Sequence, residues 1–173
     1  MKALSTNKRF LRLLFLTIVL WICASLSNAQ PVLPQRTITV TATQSIHFGT
    51  FSVTPAGGTV IMGYDGSRTP TGGITLLSMA PTAQPAIFEI KLCQGRNVNI
   101  SIIPSIDLSG SNGGPSLTLD LGPTEKGAIG IPFPTNNDCN FITTLRVGGT
   151  LHVPGAAIPG TFTGSFDITI NQE

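Results

Sequence analysis

Glycine and proline interrupt this chain so often that no long regular element has room to form. They occur 19 and 13 times in 173 residues. Glycine leaves the backbone loose, and proline fixes φ and removes a donor, so each tends to end an element. The runs left between them are the length of strands, roughly 5–6 residues. Within those runs apolar and polar residues alternate, which marks half-buried antiparallel strands. In Arg36–Gln44, Ile38, Val40 and Ala42 face one way and the threonines the other. In Ala86–Leu92, Phe88, Ile90 and Leu92 oppose Glu89 and Lys91; Asn97–Ile103 sends Val98, Ile100 and Ile102 inward, and these two runs predict a hairpin. Ser116–Leu121 presents Leu117, Leu119 and Leu121.

The stretch Arg146–Gln172 carries this pattern furthest. It predicts one strand over Leu145–Val153, interrupted by Gly148-Gly149, and a second over Thr161–Asn171. Leu151, Val153, Phe162, Phe166, Ile168 and Ile170 are its core candidates, with either Thr37–Thr43 of the same chain or that segment of another copy as neighbour. Elsewhere the pattern predicts strands at Ser45–Val53, Thr59–Met62 and Ile74–Met79, a turn at Pro55–Gly58, and loops at Gly63–Gly73, Ser109–Gly114 and Gly122–Asp138. No helical periodicity appears beyond the first residues. The expected fold is an all-β antiparallel sandwich of about 7–9 strands.

The first 29 residues follow the plan of a cleaved signal peptide: a start with Lys2, Lys8, Arg9 and Arg12, an apolar middle, and Ser27-Asn28-Ala29 before Gln30. The apolar run is long enough to raise a membrane anchor as the alternative, but the small-x-small ending sets cleavage between Ala29 and Gln30. Residues 30–36 form a flexible lead-in and 37–173 one domain. Removal of the leader takes four of the ten basic residues, so six Lys/Arg face eight Asp/Glu and the net charge falls from +2 to −2. That argues against nucleic acid as a partner. Cys93 and Cys139 then remain, and in an exported chain such a pair reads as a disulfide. Closing a loop of roughly 45 residues would contribute about 4 kcal/mol.

No catalytic signature appears. His47 and His152 lack HxxH or HExxH neighbours, and no G-x-S-x-G elbow or phosphate loop occurs. The carboxylates are scattered singly, without a calcium-loop spacing. Aromatic residues are 6% of the chain, too few for a sugar or base-stacking platform of Trp and Tyr. The expectation is a non-enzymatic chain without metal or small-molecule cofactor.

Three motifs together, ITVTATQSIHFGTF (Ile38–Phe51) with GGTV (Gly57–Val60), PAIFEI (Pro85–Ile90) and VGGTLHV…PGTFTGSFDITIN (Val147–Asn171), resemble the secreted bacterial domain-of-unknown-function 4402 family. Its members are similar to spore-coat-U-type proteins and to subunits of archaic chaperone–usher pili. The resemblance implies an immunoglobulin-like sandwich, exported to the periplasm, cell surface or medium. It implies a structural or adhesive role, such as a pilin-like fimbrial subunit, with identical or related subunits and a periplasmic chaperone as partners. Ile38, Val40 and Ala42 then lie either in a strand donated to a neighbour or in the first strand of the chain's own sandwich. A self-contained binding module for a protein or glycan is the alternative function.

Overall fold

The computed structural model describes residues 10–18, 37–92, 97–136, 138 and 140–172. The chain divides into two units, Met1–Gln35 and Arg36–Glu173. In the first, residues 10–18 are helical. No helix among the described residues is long and apolar enough to cross a membrane. The expected cleavage site at Ala29 and Gln30, the lead-in residues 30–36, and Cys93 and Cys139 lie outside the described residues.

The second unit is an antiparallel β-sandwich. Its strands are β1 (Ile38–Gln44), β2 (Thr50–Met62), β3 (Arg68–Leu77), β4 (Ala86–Leu92), β5 (Asn97–Ile102), β6 (Ser105–Gly110), β7 (Leu117–Thr124), β8 (Phe133–Pro134), β9 (Thr143–Val153), β10 (Phe162–Thr163) and β11 (Ile168–Gln172). That exceeds the expected 7–9 because β8 and β10 are pieces of two residues each and because β6 was not expected, only its last two residues falling within the expected loop Ser109–Gly114. The large sheet runs β1-β4-β9-β7-β6-β10, with the β2–β3 hairpin also on β9; the small sheet runs β11-β5-β8.

β9 is the spine. β7 pairs with it on one side; on the other β4 pairs along Thr143–Val147 and β2 along Gly149–Val153. The glycine pair does not break the strand. It sits where the neighbour changes from β4 to β2, and a Cβ on Gly148 would run into the carbonyl of Met62. Inner-facing Leu145, Val147, Leu151 and Val153 of β9, Phe88, Ile90 and Leu92 of β4, Val98, Ile100 and Ile102 of β5, and Leu117, Leu119 and Leu121 of β7 form one buried core.

Four sequence expectations are corrected. β4 and β5 are not a hairpin: β4 pairs with β1 and β9, β5 with β11 and β8. Each has one apolar face, and these faces bury against each other across the sandwich, so alternation fits a corner as well as a hairpin. The Thr161–Asn171 strand is split. β10 joins β6 in the large sheet and β11 joins β5 in the small one, with Gly164 lying close against Leu108 and the Asp107 carbonyl between them. Pro55–Gly58 is a bulge inside β2: Val53 faces Ile74 and Gly58 faces Gly72, so residues 54–57 oppose Gly73 alone. Gly57 there has φ of +66°, a left-handed geometry that glycine adopts without strain. Residues 68–73 of the expected loop belong to β3. Among the described residues that strand pairs with β2 alone, so Pro70 removes no donor from a central ladder.

Candidate functional site

Two places could carry function. The first is a polar ladder on the outer face of the large sheet. Alternation turns Thr118, Asp120, Thr150 and His152 outward while Leu119, Leu121 and Leu151 go to the core. Register then sets Thr118 opposite His152 and Asp120 opposite Thr150 on β7 and β9, and Ser105 opposite Asp120 on β6. His152 Nε2–H donates to Asp120 Oδ2 at 2.8 Å. Hydrogen bonds from Ser105 first and His152 second hold the Asp120 carboxyl below its ordinary pKa. The order is serine, carboxylate, histidine. A nucleophile needs the imidazole in the middle to take its proton, so this ladder does not activate Ser105. His47 is spent locally, its Nδ1 accepting from the Gly49 amide at 2.9 Å. Arg68 is a clamp, donating to the carbonyls of Phe48 at 2.8 Å, Thr50 at 3.3 Å and Leu77 at 3.1 Å. No group of three or more metal-binding side chains gathers among the described residues.

The second place is an unfilled strand position. By chain order and pairing, β1-β4-β9-β7 corresponds to the A-B-E-D sheet of an immunoglobulin-type sandwich, and β5-β11 to C-F of its C-F-G sheet. Two contacts align the layers. Asn136 N–H, just after β8, donates to Thr143 Oγ1 of β9 at 3.3 Å. Phe166, just before β11, meets Phe88 of β4 edge-on, with ring centroids 6.1 Å apart and planes at 71°. The small sheet therefore steps from β8 beside β9 through β5 to β11 over β4. The next position, G, lies over β1. No described strand occupies it, and β11 pairs with β5 alone.

Burial falls toward that position. Leu92, Ile90 and Phe88 of β4 are buried. Their cross-strand partners on β1, Ile38, Val40 and Ala42, share the same inner face. Yet Ile38 is half-buried, Val40 is 36% exposed and Ala42 is exposed. Across the sandwich Phe166, Ile168 and Ile170 pack on the core but are only half-buried. Among the described residues two buried side-chain atoms lack a hydrogen-bond partner, Asn99 Oδ1 on β5 and Gln172 Nε2 on β11.

Of the residues singled out from sequence, Leu151 and Val153 are buried in β9, the half-buried Phe162 lies on β10, and Phe166, Ile168 and Ile170 border the open position. Ile38, Val40 and Ala42 border it from β1. The segment Thr37–Thr43 was expected beside the terminal strands. In this chain it pairs instead with β4. Sequence reasoning missed Gln172, although it continues the inward series of Ile168 and Ile170. The Asp120–His152 pair was out of reach, because 32 residues separate the two and only register joins them.

The family model for DUF4402, a domain of unknown function, matches residues 38–172. No curated protein and no solved structure matches the chain.

Proposed function

The chain belongs to the DUF4402 family, and from that premise we propose that it is a non-enzymatic structural or adhesive subunit of an exported surface assembly, pilin-like in construction. One observation carries the reading: no described strand stands beside β11 on its outer edge, opposite the uncovered inner face of β1. An extended segment from a second copy or a related subunit would add there by main-chain hydrogen bonding and bury the half-exposed apolar side chains of β11. A periplasmic chaperone would protect the same edge before assembly. Export follows from a leader cleaved between Ala29 and Gln30, and a Cys93–Cys139 disulfide suits the oxidising compartment. The similarity to spore-coat-U-type proteins points the same way.

A second reading, a self-contained binding module for a protein or glycan, is favoured by one observation, that β1 already occupies a place in the chain's own sheet. Size-exclusion chromatography and SDS gels of residues 30–173, with and without 30–44, separate the two. The assembly reading expects concentration-dependent, SDS-resistant polymers that the deletion abolishes. A monomer at every concentration, unfolded by the deletion, would establish the binding module instead.

A further inference from the structure

The open strand position carries a polar requirement as well as an apolar one. On β11, Ile168, Ile170 and Gln172 stand opposite Ile102, Ile100 and Val98. Directly opposed residues share a face, and these three partners are buried in the core, so the Gln172 side chain is turned between the sheets. Its Nε2 is buried and has no acceptor. A buried amide without a partner is destabilising, since its lost water is not replaced, and such a group calls for a reason. It stands in the edge strand, on the face that a strand in the G position would cover.

We propose that Gln172 selects the incoming strand and fixes its register, donating from Nε2 to an acceptor which that strand brings opposite it. This rests on the reading that the open position is filled by strand addition. The occupant is the segment Gln30–Gln44 of a second copy. Eight residues from Gln30 precede the domain's first paired stretch, and with β1 they supply more than the length needed to lie along β11. The segment carries a single charge, at Arg36, so it enters an apolar cleft cheaply. It holds apolar side chains at alternate positions to meet Ile168 and Ile170, and its three glutamines and four threonines carry side-chain oxygens, one of which suffices as the acceptor for Gln172. β1 is also an edge strand whose inner face is mostly open in its own sheet, so its transfer to a neighbour gains burial. A slip of one residue would turn the apolar set outward. A slip of two would keep that set inward, and only a polar contact such as Gln172 distinguishes it.

The test uses residues 30–173 as wild type, Gln172→Met and Gln172→Glu. Melting of dilute monomer and the concentration of half-assembly by light scattering are read together. Gln172→Met is expected to raise the monomer's melting temperature, because an unsatisfied donor is gone, while raising the half-assembly concentration about 3–10-fold, the worth of one hydrogen bond. Gln172→Glu is expected to weaken assembly further at pH 7 and to recover toward wild type at pH 4, where its protonated carboxyl donates. If Gln172→Met moves monomer stability and assembly in the same direction, or leaves assembly unchanged, the selective role is overturned and strand addition stands. A wild-type chain that never assembles overturns both.

Discussion

β9 and β11 are built from the same alternating aliphatic pattern and meet different fates. Leu145 and Val147 of β9 are completely buried, whereas Ile168 and Ile170 of β11 remain half-exposed on the same side of their sheet. The residues are equally apolar; the neighbours differ. Among the described residues three strands pair with β9 and one with β11. Alternation thus specifies which face is apolar, and the number of strands around it decides whether that face is covered.

The largest expected effect tests this directly. Leu145→Ala should destabilise the monomer by about 2–5 kcal/mol, the range for a fully enclosed leucine. Ile170→Ala should lose only about 1–2 kcal/mol, because part of its surface is already in water. Urea denaturation of dilute monomer measures both. Equal losses would mean that β11 is covered in the free chain, and the contrast would collapse.

A smaller effect sharpens the same comparison at two glycines. In β9 a Cβ on Gly148 meets main chain, the Met62 carbonyl and the Tyr64 amide. Between β10 and β11 a Cβ on Gly164 chiefly meets the end of the Leu108 side chain, which can rotate away. Gly148→Ala should therefore cost about 1–3 kcal/mol, and Gly164→Ala less, again by urea midpoint. The reverse order would show that the strand crossing between sheets is as rigid as the spine.

The fold class, the positions of β1, β4, β5, β7 and β9, and the inward side of each were legible because period two is a local property. What escaped was pairing. Phe88 and Val98 point inward whether β4 and β5 lie side by side or face to face, and the backbone hydrogen bonds that choose between them leave no mark on residue type. The break between β10 and β11 was hidden for the same reason: Phe162 through Ile170 keeps its alternation while changing sheets. RTPTGG was read as loop because proline and glycine usually end strands, yet at the edge position of β3 neither removes a ladder bond. Ile38, Val40 and Ala42 were legible as an apolar set. That no described strand covers them follows only from counting the strands of the opposing sheet.

The smallest effect lies on the opposite face of the spine, where contacts are polar and wet. Asp120 is held below the ordinary carboxylate pKa by Ser105 and then His152. A group whose folded pKa is depressed stabilises the fold above its unfolded value, and that contribution fades as pH falls through the folded one. The wild type should therefore lose a little stability below about pH 4 that Asp120→Asn does not lose, with the two chains differing most at neutral pH. Because both partners are about half-exposed, the difference should be small and should shrink in high salt. Thermal melts between pH 3 and pH 7 at two salt concentrations read it. A difference as large as that from Leu145→Ala would mean that the outer face of β9 is enclosed by something other than water, and the distinction between its covered and uncovered sides would have to be redrawn.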